Sequence, residues 1–225
     1  MPRQQTRFGF IGFCKTDLIL YLSRIINLLG EKTAIVDRSI SQELSYSIPV
    51  GLYAKDRLDY RGVEVFLSCG ETGLEELKLN DFHAVLVDFG LNGKALDEIK
   101  GMNAVFVVSD LQRHHLIPLS NFLSEEKEIP NVIRVYRDIP SCKITSRYAD
   151  SILNLDNSAN VIAKYELPFN ETEYTVRLIS QYDDVFKFSR VPAEFSRMLL
   201  DCLTELFGTE NKAAVKALKK AQRGG

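Results

Sequence analysis

The sequence predicts a single α/β domain of three layers, built on a mostly parallel, doubly wound sheet of six or seven strands and ending in a basic helix. Three observations predict it. Short, nearly uninterrupted apolar runs rich in β-branched residues recur along the chain, as expected of strands buried on both faces. Segments with helical spacing of apolar residues alternate with these runs, the order that βαβ crossovers require. No Pro/Gly/Ser-rich linker and no internal repeat cuts the 225 residues, a length between one and two ordinary domains.

The elements follow in order. RFGFIGF (7–13) is a first buried strand. A helix starts at Thr16 or Asp17, either of which can accept a backbone hydrogen bond as N-cap. Leu18, Leu22, Ile25 and Leu29 recur at helical spacing, and Gly30 follows as a stop signal. TAIVD (33–37) is the next strand. Residues 38–62 mix Ser, Pro, Gly and Tyr with scattered charges and read as loop and short helical pieces; polar loops often carry binding residues, so this stretch is a candidate interface. Strand runs return as VEVFLSC (63–69), AVLVD (84–88) and NAVFVVS (103–109), with a helix expected over 111–126. NVIRVY (131–136) is a strand, SRYADSIL (146–153) a helix, and VIAKYELP (161–168) a strand ending at Pro168. From 192 onward VPAEFSRMLLDCLTELFG reads as a helix with Phe195, Met198, Leu199, Cys202, Leu203 and Leu206 on one face. A last helix covers about 210–223, and Gly224-Gly225 reads as a frayed end.

Composition excludes several classes. With 45% apolar and 26% charged residues, disorder and fibrous repeats are poor readings. No stretch approaches the roughly eighteen apolar residues of a membrane-spanning helix, and MPRQQTRF lacks the apolar region of a secretory signal, so a cytoplasmic protein is expected. Cys14, Cys69, Cys142 and Cys202 are scattered, which fits reduced thiols better than a disulfide framework or a zinc motif. The net charge of −2 is uneven: residues 209–225 carry Lys212, Lys216, Lys219, Lys220 and Arg223 against Glu210, which makes +4 and leaves −6 on residues 1–208. A body (1–208) and a basic tail (209–225) are therefore distinguished.

In open α/β sheets chemistry sits at the carboxyl ends of the strands. The first strand runs into GFCKTDLILYLSRIINLLGEKTAIVD, with the order strand, Lys-Thr, amphipathic helix, Gly-x-Lys, second strand ending in Asp. AVLVDFG, NAVFVVSD and YELPFNE follow. This order resembles the ParA/MinD family of P-loop NTPases over roughly residues 7 to 207. AVLVDFG resembles the Walker B strand and the start of its switch loop, and YELPFNE the Pro-containing loop that flanks the base. The resemblance implies ATP and Mg²⁺ as cofactors, with Lys15, Thr16, Asp37 and Asp88 as the residues that would meet them, and nucleotide-bound monomers that pair face to face.

The catalytic parts depart from the family's pattern. A phosphate loop needs several glycines so that successive N–H groups can turn inward. Where the family reads K-G-G-x-G-K-T, this chain offers Ile11, Gly12, Phe13, Cys14, Lys15 and Thr16. The signature lysine at the loop's start has no counterpart. The D-x-D of the second strand becomes Asp37, Arg38 and Ser39, and Tyr136 and Arg137 stand where the family has an adenine-reading Asn. Phosphoryl transfer rests on positioning and electrostatics, so these losses together predict a degenerate, non-hydrolysing member with no catalytic residue of its own.

Plainer readings stand beside these. Thr16 or Asp17 would merely cap a helix with Lys15 solvated, Asp88 would tie down the loop after its strand, and Asp37 would be structural. Arg113, His114 and His115 cluster at a helix start, but adjacent histidines point about 100° apart, so no metal site is expected from them. In the tail, Lys212, Lys216, Lys219, Lys220 and Arg223 collect on one helical face opposite Ala214, Ala217, Leu218 and Ala221. Some MinD-like proteins reach membranes through a C-terminal amphipathic helix. An alanine face supplies little apolar area, so membrane or nucleic-acid contact by this tail is expected to be weak and a protein partner preferred.

The functional expectation is a scaffold or localisation adaptor in a bacterial assembly, such as pilus, secretion or partition machinery. Its partners would be a second copy, a related ATPase or an assembly component, and its place cytoplasmic or peripheral at the membrane. The alternative is a nucleotide-dependent ATPase switch with a reshaped loop. A third class, a pseudo-receiver, rests on FHAVLVDFGLNG, but Gly12-Phe13 stands where receivers carry an acidic pair.

Overall fold

A computed structural model describes residues 5–49, 56–125, 129–183 and 188–224. Residues 1–4, 50–55 of the loop 38–62, position 126 of the helix expected over 111–126, and Gly225 of the frayed end lie outside the described residues. One sheet of eight strands organises the chain: β1 (Thr6–Gly12), β2 (Thr33–Asp37), β3 (Arg57–Tyr60), β4 (Val63–Phe66), β5 (Ala84–Gly90), β6 (Ala104–Ser109), β7 (Val132–Ile139) and β8 (Val161–Pro168). Their order is β3-β4-β2-β5-β1-β6-β7-β8. Every pairing is parallel except the β3–β4 hairpin.

That hairpin carries the strand beyond the expected six or seven. RLDY has no apolar run and lies half-exposed at the sheet edge, so periodicity does not mark it. Its turn explains it: Arg61 and Gly62 both have positive φ, +55° and +79°, the two-residue geometry that matches the twist of a hairpin.

The helices are α1 (Thr16–Leu28), α2 (Glu43–Ser47), α3 (Leu96–Ile99), α4 (Arg113–Glu125), α5 (Ser146–Leu153), α6 (Leu155–Ser158), α7 (Glu171–Ser180), α8 (Ala193–Asp201) and α9 (Asn211–Gln222). Alternation along the strands feeds two cores. Phe8, Phe10, Ile35, Leu86, Phe106 and Val135 point to the side covered by α1, α8 and α9. Ile11, Val36, Val85, Val87, Val105 and Val107 point to the side covered by α3, α4 and α5. The three-layer, doubly wound architecture follows from strands that are apolar on both faces. After α8 the chain continues in one π-helical stretch, Cys202–Leu206, before Gly208 at φ +69° ends it.

α9 is seated in the body. Ala214, Ala217, Leu218 and Ala221 are buried in the same core as Leu18, Ile19, Leu22 and Ile25 of α1. Small side chains on that face let the two helices approach closely. Lys212, Lys216, Lys219, Lys220 and Arg223 remain on the other side.

The sheet order also positions the chemistry. β5 lies between β1 and β2, which rules out the receiver arrangement, where the first two strands are neighbours. Chain direction puts the carboxyl ends of β1, β2, β5, β6 and β7 at one edge, with the crevice outside β1, whose neighbours are β5 and β6. No described helix is long and apolar enough to cross a membrane.

Candidate functional site

The crevice begins where β1 ends. Gly12 has φ +99°, and a Cβ there would lie 2.1 Å from the Val108 carbonyl oxygen, so no other residue fits without moving β6. The next amide, Phe13 N–H, donates to that same carbonyl at 2.9 Å. Cys14 then takes a left-handed conformation, φ +55°, and α1 begins with Lys15 as its N-cap and no side-chain cap bond. The expected cap at Thr16 or Asp17 is therefore corrected. Asp17 turns away to an arginine, and Thr16 is already helical.

Lys15 is fully buried rather than solvated. Its Nζ lies 3.1 Å from Asp88 Oδ1 and 3.5 Å from Glu43 Oε2. Burial works to lower its pKa, but the two carboxylates outweigh it and hold the ammonium above its ordinary value. Asp88 is pushed up to about 6, first by burial and then by Asp37, against the lowering effect of Lys15. Its Oδ1 also accepts from Gly90 N–H at 2.9 Å, so it does tie down the loop after β5. Its Oδ2 is buried with no hydrogen-bond partner.

Asp37 organises the loop after β2. One carboxylate oxygen accepts from Ser39 N–H and Oγ at 3.1 and 2.5 Å, the other from Ser45 N–H and Oγ at 2.9 and 2.6 Å. Ser39 thus serves the aspartate two residues before it. Arg38 pairs with Glu98 at 2.8 Å and donates to the Cys69 and Gly70 carbonyls. The structure brings Lys15, Asp37 and Asp88 together behind the β1–α1 loop. Thr16 stands apart from them, lining a cavity that the other three do not reach.

A second charged knot, which the sequence reading missed, closes the other flank. Arg137 at the end of β7 is buried, with Nη1 2.5 Å from Asp17 Oδ1 and 3.3 Å from the Cys14 carbonyl, and Nη2 3.0 Å from Glu173 Oε1. Its guanidinium lies over the Phe195 ring. Asp17 is held below the usual carboxylate range because Arg137 and Arg177 overcome its burial. Glu173 is pushed up to about 7, mainly by burial. Partners 120 and 36 residues away leave no spacing pattern to find. The one signal was the arginine itself, sitting where a small polar residue is expected.

Beside this second knot opens a cavity of about 610 Å³, lined by Cys14, Thr16, Asp17, Asp110, His115, Tyr174 and Arg177 among others. Asp110 follows β6 and accepts from Gln112 N–H and Nε2 at 2.9 and 2.6 Å and from His115 Nδ1 at 2.9 Å. Burial works to raise its pKa, but these bonds hold it below the ordinary value. Phe13 does not cover the helix N-terminus; its ring stacks on His115, centroids 4.3 Å apart. The Cys14 sulfur lies 3.9 Å from Asp110 Oδ2, and burial with this carboxylate pushes the thiol up to about 12. Of the expected Arg113, His114 and His115 cluster, only His115 enters this group. On the outer face of α9, Lys212, Lys216, Lys219, Lys220 and Arg223 line a groove of about 650 Å³ with Val215.

Three features bear against a magnesium triphosphate here. Gly12 and Phe13 are held against β6, the lysine is spent on two carboxylates of its own chain, and Glu43 and Asp88 stand where an anion would need donors.

No protein-family model and no curated protein matches the sequence. Solved structures do match in fold. MinD in the MinC:MinD cell division complex of Aquifex aeolicus superposes with TM-score 0.61 at 15% identity, over 91% of this chain and 96% of that one. A ParA family ATPase from Chlorobium tepidum gives 0.59 at 12% identity, over 89% and 98%. An ATP complex of a single-residue variant of Cyanothece McdA gives 0.54 at 10%, over 92% and 98%. Over nearly its whole length the chain shares the fold of these MinD and ParA structures. At such identities the likeness is one of fold.

Proposed function

We propose that this chain is a non-hydrolysing ParA/MinD-like protein, a scaffold or localisation adaptor in a bacterial assembly such as pilus, secretion or partition machinery, acting through protein contacts. The carrying observation is Lys15: where a phosphate-gripping lysine would reach for its ligand, this one is buried against Asp88 and Glu43. A triphosphate would have to break that pair and stand beside two carboxylates. The fold neighbours include a MinD bound to MinC, which supports a partner-binding role. Exposed apolar residues supply surface for it: Ile40 and Tyr46 in the loop after β2, and Phe169, Tyr174, Leu178 and Tyr182 around α7. Residues 209–225 act as a cationic contact element carried on the body 1–208. Their apolar side is used up against α1, so they offer charge to an acidic partner rather than a face for lipid. A homodimer, a related ATPase or an assembly component are the partner classes, and the protein works in the cytoplasm or at the membrane periphery.

The second reading, an ATPase switch using ATP and Mg²⁺, is favoured by one observation: Asp88 Oδ2 is buried without a partner, as it would be if it served a metal-bound water. Calorimetry with magnesium and ATP up to millimolar concentration, together with a phosphate-release assay, separates the two. No saturable heat and no release are expected. Magnesium-dependent binding that Lys15→Ala abolishes would overturn the first reading in favour of the second.

A further inference from the structure

We propose that Cys14, Asp110 and His115 form a binding site for a divalent transition metal of the zinc type, with a coordination position open to the cavity. The three residues come from the β1–α1 loop, the end of β6 and the first turn of α4, so the fold assembles them from separate segments. One ligating atom of each lies within 4.8 Å of the others. Zinc–sulfur bonds of about 2.3 Å and zinc–oxygen or zinc–nitrogen bonds of about 2.1 Å, at tetrahedral angles, space the donors roughly 3.4–3.6 Å apart. The Cys14–Asp110 separation of 3.9 Å is close to that spacing, and the widest gap closes by small side-chain rotations.

The donor chemistry selects the ion. Sulfur, imidazole nitrogen and carboxylate oxygen together suit zinc, whereas magnesium and calcium prefer all-oxygen sets. The supporting contacts resemble those that orient metal ligands elsewhere. Phe13 stacks on His115 at an interplanar angle of 16°, and Gln112 holds both oxygens of Asp110. Helix capping explains Asp110 and His115, because Asp110 receives the free amide near the start of α4. It does not explain Cys14, a side-chain-bearing residue kept at φ +55° with its sulfur turned toward a carboxylate. All three residues line the cavity of about 610 Å³, and three protein ligands with an open fourth position is the arrangement that admits water or an exogenous ligand. On binding, the Cys14 thiol passes its proton to solvent, the sulfur–metal bond replaces the sulfur–hydrogen bond, and the His115–Asp110 hydrogen bond gives way as both side chains turn to the metal.

The test is a titration of the reduced full chain with Co²⁺, with Zn²⁺ as competitor. The expected result is one equivalent bound, a thiolate-to-cobalt charge-transfer band in the near ultraviolet, release of about one proton per metal, and displacement by zinc. Cys14→Ser should remove the charge-transfer band, and His115→Ala should weaken binding about tenfold or more. Cys142→Ser alters a second thiol on the same cavity wall and should leave the band intact. Absence of the band in the unmodified chain at equimolar cobalt overturns the site whether or not the variants fold. So does a band that survives Cys14→Ser or disappears with Cys142→Ser.

Discussion

Replacing Lys15 by methionine keeps the stem and removes the ammonium, leaving the wholly buried Asp88 without its partner at 3.1 Å. Removing one member of a buried ion pair costs roughly 3–5 kcal/mol when the survivor stays charged. Asp88 can avoid that by taking up a proton. Its pKa is already raised from 3.8 to about 6 with Lys15 present, and losing Lys15 raises it further. A carboxyl whose folded pKa lies above its unfolded value weakens the fold as pH rises from the unfolded to the folded value. In the wild type this loss is complete just above pH 6. In the variant it continues at about 1.4 kcal/mol per pH unit until the new, higher pKa is reached. Lys15 itself stays charged throughout, because its own pKa is raised. The penalty of Lys15→Met should therefore grow by about 2–3 kcal/mol between pH 6 and pH 8, a further fall in Tm of roughly 5–10 °C for a domain of this size. Urea denaturation of both proteins across pH 5 to 8 reads it directly. The double variant Lys15→Met/Asp88→Asn should lose the pH-dependent part. A penalty that is flat with pH, or larger at pH 5 than at pH 8, refutes the buried-pair account.

Three other outcomes are expected. Gly12→Ala places a Cβ 2.1 Å from the Val108 oxygen at a φ of +99°, so it should destabilise by more than about 3 kcal/mol; a soluble variant with wild-type Tm would contradict the close approach of β1 and β6. Glu173, raised from 4.5 to about 7, makes the wild type lose stability as pH climbs through that window, and Glu173→Gln should flatten the slope there in a series of melting curves. Leu218→Ala, on the buried face of α9, should cost about 2–4 kcal/mol, while Lys219→Ala and Lys220→Ala leave stability unchanged. Equal effects on the two faces would mean α9 is not docked.

Much of the architecture was legible because it follows from burial on both sides. AVLVD and NAVFVVS announce strands by composition, VIAKYELP at the sheet edge by its alternation, and SRYADSIL a helix by spacing. β3 was hidden because an edge hairpin needs no apolar run, and α7 because it buries little beyond Glu173. At the site, Lys15, Asp37 and Asp88 were found by their places at strand ends. Their partners were not, since Glu43 lies on a five-residue helix in a polar loop and Glu173 on an exposed one. A lysine next to a helix start reads as solvated until a distant carboxylate is known to face it. The Cys14, Asp110 and His115 group was equally hidden: two sequence positions 96 residues apart meet only because β1 and β6 are neighbours.

The seating of α9 on α1 bears on how the domain can be made. The helix that covers the apolar face of α1 (Thr16–Leu28), Asn211–Gln222, is synthesised roughly 190 residues after it. At about 5–20 residues per second that interval is roughly 10–40 s. For that time Ile19, Leu22 and their neighbours lack their final cover, and β1, the strand before α1, lacks β5 and β6 until these follow. The domain is thus completed only once α9 has been made, and nascent chains arrested before α9 should be the ones that recruit chaperones.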